Sequence, residues 1–151
     1  GNSGFKVWDV GICKIGVGIC WDQWFPECAR SMALDGADIL FYPTAIGSEP
    51  QDPNINSKDH WQTVMRGHAA SNVVGVVASN RIGFELNNNV EMEFYGHSLI
   101  INETGDIVKD LGKDNEGFSS YSFNIDAIQL KRTEWGLFRD RREDLYSNLI
   151  K

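Results

Sequence analysis

Apolar and polar positions alternate over residues 5 to 10, FKVWDV, as they do along a half-buried strand. A short Gly-containing turn follows, and KIGVGIC at 14 to 20 is again mostly apolar, so the two runs predict a hairpin whose second strand ends at Cys20. The period then lengthens. Cys28 with Met32, and Ala29 with Ala33, recur four residues apart and give one apolar helix face. Pro26 suits the first turn of that helix, Glu27 stands where the helix dipole favours an acid, and Gly36 supplies the stop.

DILFYP at 38 to 43 is almost wholly apolar, as in a strand buried on both faces, and Pro43 ends it. TAIGSEPQDPNINS is a polar loop too long to be a mere connection. Ser57 is placed to cap a helix from Lys58 to about Val73, and GVVASN at 75 to 80 reads as a further strand. ELNNNVEME reads as a polar loop, HSLIINETGDIVKDLG as two strands around a turn, and GFSSYSFNID as one strand more. Asp126 is placed to cap a short helix, and the tail RTEWGLFRDRREDLY mixes aromatics with charges at no clean period, as a segment packed on something does. Strands alternating with helices indicate an α/β fold, and no repeat or linker divides the chain.

Hydrophobic residues make up 42% of the 151 and charged residues 23%, which is ordinary globular usage and enough chain for a real core. The net charge of −7 and pI of about 4.9 argue against nucleic acid, which needs clustered Lys and Arg, and leave room for a cationic small molecule. No apolar run reaches the roughly 20 residues of a membrane span, and GNSGFKVWDV lacks the layout of a signal peptide, so a soluble protein is expected. Cys13, Cys20 and Cys28 are an odd set without C-x-x-C spacing, which supports neither a disulfide framework nor a zinc site and fits a reducing cytoplasm.

Cys20 invites two readings. An unpaired cysteine closing an apolar run is ordinarily a buried core residue. A thiol where a strand meets a helix start instead sits among unpaired backbone N–H groups that favour thiolate, with the Trp21 N–H facing any oxyanion formed at an attacked carbonyl. Spacing alone leaves both open. His60, His68 and His97 lack metal-ligand spacing, and the first two fall on one helix. Asp22 reads as a turn acceptor rather than a base, and Asn80 and Arg81 as a pocket rim or a strand cap. RDRRED reads as solvated surface or as a subunit contact.

GICWDQWFPECARSMALDGADILFYPTAIGSEPQ, GHAASNVVGVVASNRIG, FYGHSLI, ETGDIV and WGLFRDRREDLY together resemble the nitrilase superfamily of carbon–nitrogen hydrolases, in order and spacing, over essentially the whole chain. The resemblance implies a four-layer αββα sandwich, pairing into homodimers or higher homo-oligomers, and a Glu, Lys and Cys catalytic set with no metal or organic cofactor. Cys20 matches the nucleophile, Trp21 the oxyanion-site N–H, Thr44 and Ala45 the pocket floor, and Glu49 a carboxylate meeting the ammonium of a polyamine substrate. It implies hydrolysis of a carbamoyl C–N bond, most closely that of N-carbamoylputrescine to putrescine, carbon dioxide and ammonia. Another carbamoyl amine, carbamoyl amino acid or ω-amide is the alternative substrate, and an inert fragment serving as an assembly module the alternative role.

The chain matches only the carboxyl-terminal part of such a domain, since none of its seven lysines lies in the family's lysine motif and the catalytic Glu has no counterpart. In such a sandwich strands of both halves are expected in both sheets. Several hundred Å² of bare apolar face forfeits on the order of 10 kcal/mol, comparable with a domain's whole stability. The chain is therefore expected to be ordered only beside an amino-terminal half.

Overall fold

The computed structural model describes residues 2–52, 54–88 and 90–150. Strands β1 (Val7–Asp9), β2 (Lys14–Val17), β3 (Ile39–Thr44), β4 (Gly75–Asn80), β7 (Leu99–Ile101) and β8 (Ile107–Asp110) form one six-stranded sheet in the order β1-β2-β3-β4-β7-β8. The middle three, β2, β3 and β4, run parallel, and β1, β7 and β8 are antiparallel to their neighbours. Helices α1 (Pro26–Leu34) and α2 (Lys58–Asn72) supply the crossovers, and strands β5 (Phe84–Asn87) and β6 (Val90–Glu93) form a separate hairpin. Helix α3 (Ile125–Glu134) follows β8. This is the α/β alternation that the hydrophobic pattern predicts.

The core lies between the sheet and the α1–α2 layer. Cys28, Ala29, Met32 and Ala33 of α1 are buried, as their spacing requires, against Leu40 and Tyr42 of β3 and Trp61, Met65 and Ala69 of α2. The close approach of α1 depends on glycines in the β2 segment: a Cβ on Gly16 would sit 2.7 Å from Met32 Sδ, and one on Gly18 2.7 Å from the Tyr42 ring. At the opposite end of the strands from Cys20, α3 is tied down by Arg132, whose Nη2 donates to the carbonyls of Ala37 and Val73 at 3.1 Å each.

Among the described residues the other face of the sheet carries no helix layer. Cross-strand register aligns Trp8, Ile15 and Ile39 in one row and Val17, Phe41, Val77 and Ile100 in the next. Trp8 is 47% exposed, and Ile15, Val17, Ile39, Phe41 and Val77 are only half-buried, whereas Leu40, Tyr42 and Val76 on the helix side are sealed. The apolar surface left over is the back of this sheet.

Local expectations differ at five places. Strand β2 stops at Val17, although the Gly18 N–H still reaches the Phe41 carbonyl at 3.0 Å, and Cys20 opens a separate 3-10 turn, Cys20–Trp24. Ser57 is the N-cap residue of α2, its carbonyl accepting the Trp61 N–H at 2.8 Å, but its side chain makes no capping bond and its hydroxyl stands 3.4 Å from the Tyr95 hydroxyl. Of ELNNNVEME, residues 85–87 lie in β5 and 90–93 in β6, with Asn89 outside the described residues; β5 is exposed throughout and so lacks the alternation that marks a half-buried strand. Residues 117–124 form no strand, and Phe123 instead packs over Gly75. The cap of α3 is Asn124, whose Oδ1 accepts the Ala127 N–H at 3.0 Å, while Asp126 lies in the first turn where the dipole favours its charge.

Candidate active site

The carboxyl ends of β2, β3 and β4 meet where ligands gather in open parallel sheets. Cys20 stands there, exposed, with φ of +50°, a left-handed conformation that costs a non-glycine residue on the order of 1–2 kcal/mol. The strained turn is closed by Asp22, whose Oδ2 accepts the Ile19 N–H at 3.0 Å, which makes Asp22 the turn acceptor that the sequence suggests. Among the described residues the N–H of Trp21 meets no acceptor, as the first donors of a helical turn do not. The Trp21 ring is 70% exposed and meets Trp24 edge-on, and Trp24 in turn lies 5.1 Å from the His60 ring.

Thr44, the last residue of β3, turns its hydroxyl toward the Cys20 sulfur at 3.7 Å. Behind it is a buried amide that the sequence analysis did not single out. Gln23, 1% exposed, donates from Nε2 to Thr44 Oγ1 at 2.9 Å and accepts from the Trp61 indole N–H at 2.7 Å. His68 Nε2 lies 2.8 Å from the Gln23 carbonyl, and since a carbonyl only accepts, that nitrogen carries hydrogen. Burial pushes the His68 imidazole below its ordinary range, which suits a neutral donor. His68 is thereby a structural residue of α2. A polar residue between two tryptophans at a strand-to-helix junction was the available signal for Gln23; its partners on α2 have no one-dimensional signature.

Ala45 follows Thr44 and is exposed, and Glu49 lies further along the same loop, also exposed. That loop is pinned from two sides. Asn80 at the end of β4 accepts the Ile46 N–H at 2.9 Å and donates to the Ile46 carbonyl at 3.0 Å, and Gly47 bridges Phe94 beyond β6. A Cβ on Gly47 would collide with the Glu93 backbone, so only glycine permits this approach. Among the described residues no side chain pairs with the Glu49 carboxylate. Asn80 is thus a scaffold for the rim, and Arg81 reaches Glu85 and lies over the Phe94 ring.

The remaining candidates lie apart from Cys20. His97 pairs with Asp110 at 3.0 Å, and RDRRED makes local ion pairs, Arg139 with Asp140, Arg141 with Glu143 and Arg142 with Asp144, on an exposed surface. Cys28 is fully buried, and burial above all, with Asp22 nearby, pushes its thiol up to about 11. Burial, with Asp38 and Asp9, also raises Cys13. Of the three thiols, Cys20 alone is exposed. Among the described residues its one hydrogen-bond partner is Thr44, and no Glu or Lys side chain bonds it.

A strained, exposed cysteine at the carboxyl edge of a parallel sheet, with a free N–H beside it, suits attack on a carbonyl. Comparison with known proteins identifies the family. The carbon-nitrogen hydrolase family profile matches residues 1–134. The chain is 55% identical to N-carbamoylputrescine amidase of Solanum tuberosum, over 99% of this chain and 51% of that protein. It is 52% identical to citrullinase of Francisella tularensis, over 100% of this chain and 53% of that protein. A crystal structure of a carbon-nitrogen hydrolase from Helicobacter pylori superposes with a TM-score of 0.88 at 34% identity, covering all of this chain and 54% of that one. The chain spans about half the length of the curated relatives it matches. By profile, by sequence and by fold, then, the chain belongs to the carbon–nitrogen hydrolase family of the nitrilase superfamily.

Proposed function

We propose that Cys20 is the nucleophile of an enzyme hydrolysing a carbamoyl C–N bond, with N-carbamoylputrescine as substrate. The observation that carries this reading is the Cys20 turn: an exposed sulfur at φ +50°, beside the unpartnered Trp21 N–H and under the Thr44 hydroxyl. The thiolate attacks the carbamoyl carbon, and the Trp21 N–H receives the developing oxyanion. The bond to the leaving nitrogen breaks as that nitrogen takes the proton first removed from the thiol. Water then cleaves the C–S bond, regenerating the thiol and releasing a carbamic acid, which loses carbon dioxide as its remaining C–N bond breaks and the nitrogen takes the carboxyl proton, so that substrate and water become putrescine, carbon dioxide and ammonia. Thr44 and Ala45 form the floor, and Glu49 meets the distal ammonium.

The base and the electrophile, a Glu and a Lys in this family, are supplied in our reading by an amino-terminal segment that also covers the back of the sheet. The half-length match and the apolar rows around Phe41 and Val77 support it. On this reading residues 1–151 are the carboxyl-terminal part of one domain, placed in a homo-oligomer in the cytoplasm, where its three free thiols stay reduced.

A second substrate class has specific support, because one relative at 52% identity is a citrullinase. Citrulline shares the carbamoyl amine but ends in a carboxylate as well as an ammonium. Ammonia release by the whole protein from each compound decides between them. Faster turnover of N-carbamoylputrescine supports the assignment; faster turnover of citrulline replaces it; release from neither overturns both, and release from no carbamoyl amino acid or ω-amide either supports an inert assembly module.

A further inference from the structure

We infer that Gln23 is a positioning residue, which with Trp61 fixes the direction of the Thr44 hydroxyl so that it donates to the Cys20 thiolate. This rests on Cys20 being the nucleophile.

The direction of the chain follows from donor chemistry. An indole N–H only donates, so the Gln23 atom 2.7 Å from Trp61 Nε1 is the amide oxygen. The amide nitrogen is then the atom facing Thr44 Oγ1 at 2.9 Å, and it too only donates. Thr44 Oγ1 must accept there, which leaves its single hydrogen free for the sulfur 3.7 Å away. Nothing in the chain is free to reverse. The amide has no room to flip: Gln23 is 1% exposed and Trp61 is fully buried. Its main chain is held as well, by His68 on the same face of α2 as Trp61, two turns on.

The consequence concerns the charged form of the nucleophile. A hydroxyl free to rotate spends part of its time donating elsewhere; one forced to donate toward sulfur stabilises thiolate over thiol. Alpha-helix α2, which does not touch substrate in this reading, thus acts on the reacting atom through two side chains.

The test is site-resolved alkylation by iodoacetamide, followed by peptide mapping across a pH range in the whole protein. Thr44→Val, close to isosteric and half-buried in its setting, is expected to slow Cys20 alkylation near neutral pH about threefold to tenfold, the weight of one modest hydrogen bond. The loss should vanish at high pH, where every thiol is ionised, and Thr44→Ser should restore most of the rate. Gln23→Met should slow Cys20 less than Thr44→Val does, and the double variant should be no slower than Thr44→Val alone. Should Gln23→Met fail to fold, the Val and Ser variants at position 44 still decide the matter. An unchanged rate in Thr44→Val, a loss persisting at high pH, or losses that multiply in the double variant would overturn the inference while leaving Cys20 as nucleophile. Wild-type Cys20 reacting no faster than Cys13 would remove the nucleophile itself, and the inference with it.

Discussion

Asn80 grips both backbone polar groups of Ile46, accepting the Ile46 N–H at 2.9 Å and donating to the Ile46 carbonyl at 3.0 Å, and its second amide hydrogen goes to the Gly96 carbonyl at 2.8 Å. One amide from β4 therefore sets the path of the loop that carries Ala45 and Glu49. Truncating it leaves the Ile46 N–H and the Gly96 carbonyl without partners in a largely buried place, while the Ile46 carbonyl keeps the Tyr95 N–H at 3.1 Å.

Asn80→Ala is accordingly expected to lower stability by about 2–4 kcal/mol. Asn80→Asp, which keeps the acceptor and loses both donors, should fall between that and wild type. Equilibrium denaturation in urea reads both. A loss below about 0.5 kcal/mol in Asn80→Ala would mean that the Gly47 bridge alone holds the loop.

How far the sequence discloses this arrangement varies by residue. Apolar runs, four-residue spacing and end signals locate β2, α1, β3, α2 and β4, although the run of β3, which reads as buried on both faces, seals only the face toward the helices. The β5–β6 hairpin escapes, since no residue of β5 is buried and its pairing leaves no mark on polarity. The position of Cys20 is legible as a strand-to-helix junction, but its left-handed φ is not, because glycine is the residue that normally signals such a turn. Gln23 and Trp61 are invisible for another reason: each acts through hydrogen bonds to residues more than twenty positions away, and Asn80, legible as a rim or strand-end residue, does not disclose its hold on Ile46 for the same reason.

In the proposed reading Glu49 bears on substrate choice. An exposed carboxylate meeting a distal ammonium contributes a charge-assisted hydrogen bond, so Glu49→Gln should raise KM for N-carbamoylputrescine about tenfold or more with little change in kcat. Steady-state ammonia release measures it. An unchanged KM would remove the polyamine argument.

His68 makes stability depend on pH. Burial holds its folded-state value below the ordinary 6.5, so as pH falls through that value the unfolded chain binds a proton that the folded one refuses. The contribution is complete above about 6.5, declines below it by at most about 1.4 kcal/mol per pH unit, and levels off below the folded-state value. His68→Gln, which keeps a donor for the Gln23 carbonyl, should lack this component. Urea denaturation of both proteins between about pH 8 and 5.5 gives the difference, and parallel curves would contradict the assignment.

The back of the sheet predicts an assembly requirement. Trp8 and the half-buried Ile15, Val17, Ile39, Phe41 and Val77 form a continuous apolar surface. Residues 1–151 alone should therefore associate or melt without cooperativity, as size-exclusion chromatography and circular dichroism would show. A compact monomer with a sharp transition would contradict it.

Everything in the mechanism passes through one sulfur. The most direct measurement is peptide-resolved mass spectrometry of the whole protein, quenched during turnover of N-carbamoylputrescine. The account predicts an acyl adduct on Cys20 and on neither Cys13 nor Cys28. Ammonia released while a Cys20→Ala variant keeps pace with wild type, and no adduct on Cys20 at any time, would contradict it.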